Sequence, residues 1–307
     1  MQNELLNRAL RFAASCADPD GVAPTELPGI TLIRQTRPTP LQYDIYKPLV
    51  ALVLQGEKQV TVGRDSFQLR TGESLVVAAN VPNVSQITKA SLAKPYVSLV
   101  IDLDLAILEN LVQQIDAVSE VYQSPVGVDV TEAEVTEAAL RLMRLLDRPQ
   151  TRPILQDALI RELHYWLLVG PHGAAIRELG AVESHTQRIT QAIALLRERF
   201  TETLRVETLA QRAGMSVSSF YEHFRAVTSL SPLQFQKQLR LIEARRRMLA
   251  EGAAISTAAY GVGYESVPQF TREYARTFGL PPAREIKAAR AYGSGGLDEV
   301  GIKAVHS

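Results

Sequence analysis

The sequence predicts an α+β protein in two parts. The N-terminal part is a β-barrel or sandwich with flanking helices, and the C-terminal part is all-α, with two helix-turn-helix units. Three observations predict this. Seven short runs between residues 30 and 102 alternate with period two. After Asp104 the apolar period becomes helical. Between residues 204 and 285 one pattern is written twice.

In chain order, residues 3–16 spell an amphipathic helix, with Leu5, Leu6, Ala9, Leu10 and Ala13 at helical spacing. Residues 18–29 are rich in Pro, Gly and Asp and predict a loop. The strand runs are 30–34, 49–54, 59–62, 67–70, 74–78, 83–88 and 96–102, divided by turn spellings such as Gln55-Gly56-Glu57 and Thr71-Gly72-Glu73. Helices are expected at 105–117, 131–146 and 154–169, the last bounded by Pro153 and Gly170-Pro171. The second carries a stripe of Val135, Ala138, Leu142, Leu145 and Leu146. The helices at 131–146 and 154–169 either form a dimer interface or only cover the barrel. Residues 173–185 read as a linker, and 186–200 as a helix with Ile189, Ile193, Leu196 and Phe200 inward. The expected division is 1–180, 186–290 and a poorly ordered tail, 291–307, carrying Gly293-Ser294-Gly295-Gly296.

In the repeat, Ala210 and Ala259 lie 49 residues apart, as do Gly214 and Gly263; Phe220 and Phe270 lie 50 apart, as do Phe224 and Tyr274. The second copy therefore has one extra residue in its turn. Gly214 suits the left-handed end of a short helix on which Val206, Leu209, Ala210 and Ala213 share a face. Ser216 is a cap for the next helix. In the second copy Ser256 is the expected cap of the first helix, and Ser266-Val267-Pro268-Gln269 spells a capping box. Between the copies, Ser231-Pro232 starts a longer helix through Leu233, Leu239, Ile242 and Leu249, expected to fix their spacing. Two recognition helices about 34 Å apart can enter successive major grooves of DNA.

Leu209-Ala210, Ala213-Gly214-Met215-Ser216, Phe220, Phe224, Leu230-Ser231-Pro232, Gly263-Tyr264, Phe270, Phe278-Gly279 and Pro282 resemble the DNA-binding domain of AraC/XylS-type transcriptional regulators. This chain departs at Ser229, where the family usually has glycine, at Tyr274, where it usually has Phe, and at Glu222, a position from which members often reach DNA. Arg37-Pro38-Thr39, the run from Val53 to Lys58 and the run from Ala90 to Tyr96 resemble the cupin-like N-terminal domain of one branch of that family. The resemblance implies a cupin-like barrel that binds a small-molecule effector and helps form a homodimer. It also favours activation, with RNA polymerase as a partner. The ligand-contacting residues are unknown: Gln55, Gly56 and Lys58 are either hairpin chemistry or ligand contacts. One alternative is a regulator whose N-terminal domain binds a protein partner; another, disfavoured by the lack of histidines in the strand region, is a cupin enzyme with a DNA-binding appendage.

Net charge is zero, with 33 Lys and Arg against 33 Asp and Glu. The zero hides a split: residues 186–290 hold 16 basic against 9 acidic residues, and the rest holds 17 against 24. A basic half joined to an acidic one suits a nucleic-acid binder joined to a different module. Arg245-Arg246-Arg247 is either a solvated face or a phosphate clamp. The single cysteine, Cys16, allows no intrachain disulfide, and neither a signal peptide nor a membrane span is spelled, so the expected place is the cytoplasm.

No enzyme is expected, and no cofactor. The five histidines, His164, His172, His185, His223 and His306, all lie outside the strand region, so no cupin metal cluster is spelled. A metal pair of His164 and His172 is disfavoured by Pro171 between them. His223 suits helix packing or a phosphate contact. No Gly-x-Ser-x-Gly elbow or dinucleotide loop is present. The expected partner is double-stranded DNA, read by the outer faces of the two recognition helices. In the first the candidates are Ser218, Ser219, Tyr221, Glu222 and Arg225. In the second they are Val267, Gln269, Thr271, Arg272 and Arg276, with Val267 and Pro268 suited to a thymine methyl.

Overall fold

The computed structural model describes residues 2–63, 65–115, 124–181 and 184–294, the last five as backbone only. Its N-terminal helix α1 (Gln2–Cys16) is followed by strands β1 (Val22–Pro24), β2 (Ile30–Gln35), β3 (Gln42–Tyr46), β4 (Leu49–Gln55), β5 (Glu57–Val62), β6 (Asp65–Leu69), β7 (Glu73–Val77), β8 (Val81–Lys89) and β9 (Tyr96–Asp102). Then come α2 (Leu105–Val112), β10 (Val126–Val130), α3 (Ala133–Leu145), α4 (Arg152–Val169) and α5 (Gly173–Gly180).

The strands form two antiparallel sheets, ordered β1-β2-β9-β4-β7-β10 and β3-β8-β5-β6. Val60, Leu69 and Ile87 from the smaller sheet share one core with Leu75, Val77 and Tyr96 from the larger. The sheets therefore face each other across a filled interior. The other face of the larger sheet, through Leu32, Val50, Leu52, Leu99 and Ile101, packs on Leu5, Leu108, Leu142, Leu163 and Ile176 of the helices. That second core is the larger one, and each fully buried Leu or Ile contributes roughly 1.5–3 kcal/mol.

Four expectations change. β1 lies in the predicted loop, an edge strand short enough to carry Pro24. β3 and β10 were not spelled: β3 has Ile45 as its one buried residue, and Gly127 and Asp129 interrupt β10. The predicted linker contains α5, whose Ala175, Ile176 and Leu179 are buried. A Cβ on Gly180 would stand 2.9 Å from Leu108 Cβ, so this glycine serves close helix packing rather than flexibility. Residues 116 and 117 of the predicted 105–117 helix lie outside the described residues.

The remaining helices are α6 (His185–Glu198), α7 (Val206–Arg212), α8 (Val217–Thr228), α9 (Pro232–Ala250), α10 (Ile255–Gly261), α11 (Val267–Phe278) and α12 (Pro282–Ser294). α12 carries helix through 291–294; the rest of the expected tail, 295–307, lies outside the described residues. Two compact units emerge, Met1–Leu195 with Arg205–Phe235, and Leu196–Leu204 with Gln236–Ser307. The first helix-turn-helix thus groups with the barrel: Val227 of α8 packs on the core between the sheets, and Gln187 of α6 hydrogen-bonds Glu109 of α2.

On α9 the buried residues include Phe235, Leu241, Ala244 and Met248. Leu233 is exposed, and Leu239, Ile242 and Leu249 are half-buried, so the core-facing stripe differs from the expected one. α10 starts earlier than expected. Its N-cap is Ala254, with no side-chain cap, and Ser256 lies inside the first turn.

Candidate nucleic-acid interface

In the first helix-turn-helix, α7 ends at Gly214 with φ +60°, and Ser216 Oγ accepts the Ser219 N–H at 3.3 Å, starting α8. Arg188 of α6 donates to the carbonyls of Ala213, at 2.6 Å, and Gly214, holding the turn from outside. Phe220, Phe224 and Phe235 pack in series, the first pair tilted and the second edge-to-face, with centroids 5.4 and 5.6 Å apart. These anchors turn one face of α8 inward and leave Ser218, Tyr221, Glu222 and Arg225 exposed, with Ser219 half-buried. An open groove of about 580 Å³ runs along Tyr221, Glu222, Arg225, Ala226 and Ser231. His223 stacks on His185, centroids 3.7 Å apart, which makes it a packing residue. Burial and the neighbouring His185 hold its pKa below the usual histidine range.

The second unit repeats the plan with different clamps. Gly263 has φ +87°, and Ser266 Oγ accepts the Gln269 N–H at 3.5 Å. The Gln269 side chain turns to Glu273, 3.4 Å away, so only half of the capping box forms. Arg240 of α9 donates to four carbonyls: Phe200 at 2.7 Å, Gly263 at 2.8 Å, Glu202 at 2.9 Å and Thr201 at 3.1 Å. Tyr264, Phe270, Tyr274 and Phe278 form the aromatic series, with centroids 5.3, 5.4 and 4.5 Å apart. Glu285 accepts the Tyr274 hydroxyl at 2.6 Å and two Arg245 N–H groups at 2.8 and 2.6 Å. Burial, then the Glu285 bond, pushes the Tyr274 phenol well above its ordinary pKa.

Gln269, Arg272 and Arg276 are exposed on α11, and Val267 and Thr271 are half-buried. The sequence candidates therefore share the outward faces of α8 and α11. Among the described residues Arg225, Arg272 and Arg276 have no carboxylate partner, as is also true of the exposed Arg205, Arg212 and Arg284, whereas the arginine run of α9 is paired. Arg245 is held by Glu285, Arg246 by Glu243 and Glu251, and Arg247 by Glu243 and the Gly261 carbonyl. The run at 245–247 is thus internal scaffolding. Sequence reasoning missed Arg188, Arg240, Glu273 and Glu285, which hold the turns and helices. Nothing local in the sequence distinguishes an arginine that grips backbone carbonyls from one facing solvent.

In the N-terminal part, Gln55 donates to the Pro95 carbonyl at 2.7 Å, and Gly56 has φ +86° where a Cβ would meet Lys89 O at 2.6 Å. Those two are turn chemistry; Lys58 instead points between the sheets. His164 Nδ1 bonds Ile160 O at 2.8 Å and its Nε2 accepts the Asp104 N–H at 3.0 Å, which gives it a structural role in place of a metal pair with His172. Among the described residues no three His, Cys, Asp or Glu side chains group for a metal, and no helix is long and apolar enough to cross a membrane.

Comparison with known proteins follows the same two parts. The family described as AraC-type transcriptional regulator N-terminus matches residues 26–175, and the one described as Helix-turn-helix domain matches residues 209–288. The transcriptional activator RhaS of Escherichia fergusonii is 28% identical over 108 residues, 35% of this chain and 38% of its own length. The match thus spans well under half of that relative. The transcriptional regulator ExsA of Pseudomonas aeruginosa is 25% identical over 241 residues, 76% of this chain and 84% of its own. Crystal structures of ToxT from Vibrio cholerae share the fold. The apo form gives a TM-score of 0.53 at 8% identity over 86% of this chain and 99% of that one. A form with unsaturated fatty acid bound gives 0.50 at 9% identity over 84% and 94%. With an AraC-type N-terminus and a tandem helix-turn-helix in sequence and fold alike, the chain belongs to the AraC/XylS-type family of transcriptional regulators.

Proposed function

We propose that this protein is a sequence-specific DNA-binding transcriptional regulator controlled by a small molecule in its N-terminal domain. The observation that carries the DNA reading is a contrast. Arg245, Arg246 and Arg247 of α9 are paired internally, whereas Arg225, Arg272 and Arg276 stand exposed on the outward faces of α8 and α11 with no carboxylate partner among the described residues. An unpaired guanidinium keeps its donor fork for phosphate or for the two acceptors of a guanine edge. Base contacts come from Ser218, Ser219, Tyr221, Glu222 and Arg225 in α8, and from Val267, Gln269, Thr271, Arg272 and Arg276 in α11. RhaS is named an activator, which supports activation through RNA polymerase here. ToxT has been seen with a fatty acid bound, which supports a ligand-binding N-terminal domain. The working form is a cytoplasmic homodimer without enzymatic activity.

Selection of bound sequences from random DNA, with the full chain at two salt concentrations, tests this. Two short boxes one helical turn apart support it; sequence-indifferent binding that vanishes with salt overturns it. Arg272→Ala is expected to cost about 1–3 kcal/mol at the recovered site. An equal loss on random DNA would assign Arg272 to phosphate instead.

A further inference from the structure

The two recognition helices match position by position. α8 and α11 are each twelve residues long, each is capped by a serine, and each ends at a left-handed residue, Ser229 or Gly279. An offset of 50 aligns the buried Phe220 with Phe270 and Phe224 with Tyr274, so the helices turn the same positions inward. The same offset aligns their outward positions. Ser218 matches Pro268, Glu222 matches Arg272 and Ala226 matches Arg276, and all six are exposed. Their spacing of four residues makes one stripe along each helix.

The stripes differ in charge. That of α11 carries two guanidinium groups and no carboxylate, whereas that of α8 carries one carboxylate and no cation. Arg225 flanks the α8 stripe, and its counterpart in α11 is Ala275. At the middle of the stripe the polarity is reversed, with Glu222 in one helix where Arg272 stands in the other. Glu222 makes no hydrogen bond or ion pair among the described residues, and it borders the open groove with Tyr221 and Arg225. An exposed carboxylate on an ordinary surface is simply solvated. On a face turned to DNA the phosphates repel it, and only hydrogen bonds donated to it offset that cost. An ionised glutamate accepts and never donates, whereas an arginine donates and never accepts. In the major groove guanine and thymine offer acceptors, and adenine sets its N6 donor beside the N7 acceptor. Cytosine offers its N4 donor with no acceptor of its own.

We propose that Glu222 is a specificity-determining residue of α8 that accepts from cytosine N4, at the position equivalent to the guanine read by Arg272. This rests on the reading of α8 and α11 as DNA-contacting helices. The two boxes of the operator therefore carry opposite bases at equivalent positions on the read strand, and they are not copies of each other.

The test is selection of bound sequences from random DNA by the full chain, by Glu222→Gln and by Glu222→Ala. The unsubstituted chain is expected to prefer a C·G pair at one position by at least about fivefold. Both variants are expected to lose that preference. Glu222→Gln is expected to draw A·T there instead, since a glutamine fits both adenine groups. The guanine preference governed by Arg272 should survive in both variants, which shows that they fold. Glu222→Ala is also expected to bind random DNA more tightly, because a charge repelled by phosphate has gone. Tighter random binding with every base preference unchanged overturns the proposal and leaves Glu222 a nearby charge. A changed preference at a position that the unsubstituted chain does not fill with C·G also overturns it. Either result sinks only the cytosine assignment, whereas an unsubstituted chain that recovers no box sinks the proposed function as well.

Discussion

His164 joins α4 to the first turn of α2 through one ring. Its Nδ1–H donates to Ile160 O and its Nε2 accepts from Asp104, whose own carboxylate caps α2 at the N–H groups of Ala106 and Ile107. Both bonds need the neutral ring, and burial holds its pKa below the ordinary 6.5. A histidine depressed in the folded state contributes stability that is complete above the unfolded pKa. That stability is lost as pH falls from 6.5 toward the lowered folded value. His164→Leu is expected to remove this acid-side slope and to cost about 1–3 kcal/mol at pH 8, where Asp104 N–H loses its acceptor. Urea titrations at several pH values check both. Ser229 holds φ +61°, whereas its counterpart Gly279 holds +81°. The left-handed conformation costs an L-residue about 1–2 kcal/mol, and glycine gives back about 0.5–1 kcal/mol in chain entropy. Ser229→Gly is therefore expected to stabilise by about 0.5–1 kcal/mol in a denaturant midpoint. This departure was legible in the sequence because its neighbours fixed the helix end.

At the scale of elements, the two helix-turn-helix units keep the same aromatic anchors but not the same clamps. Arg188 holds the first turn from α6, and Arg240 holds the second from α9. The Arg240 fork reaches four carbonyls in fixed directions, which a lysine ammonium cannot copy. Arg240→Lys is expected to destabilise the second unit by about 1.5–3 kcal/mol. Hydrogen exchange should quicken at amides of α10 and α11 before those of α8; equal quickening in both would contradict a local clamp. Local chemistry explains what the sequence showed at this scale. Turn glycines, Ser216 and Ser266 act within a few residues, so the short helices were legible. The stripe of α9 was misread because Phe235 and Met248 are buried while Leu233 is exposed at 69%, a choice made by distant neighbours. β3 escaped notice because Ile45 is its one aliphatic residue and its one buried residue, too little for an alternating pattern. Lys58 was visible only as a turn neighbour, since its partner Tyr46 comes from a strand the pattern did not reveal.

For the whole molecule, the charge split between a basic C-terminal stretch and an acidic remainder follows chain order, whereas the compact units do not. Contacts place the first helix-turn-helix with the barrel, and the second stands in a unit of its own with α12. A sequence repeat is written along the chain and is read there; a packing group depends on which faces meet. Val227 is the residue where the two descriptions part, a half-buried recognition-helix side chain that packs against the core between the sheets. Gly63 adds to this on the barrel side, since a Cβ there would lie 3.8 Å from Ser229. For descent and engineering the consequence is a rule about where such chains can be recombined. A crossover near residue 186 would graft a foreign helix onto this barrel and leave the Val227 position unmatched. A crossover inside α9 would carry the barrel and its first reading head together, so inheritable modules in such a lineage need not coincide with its repeats.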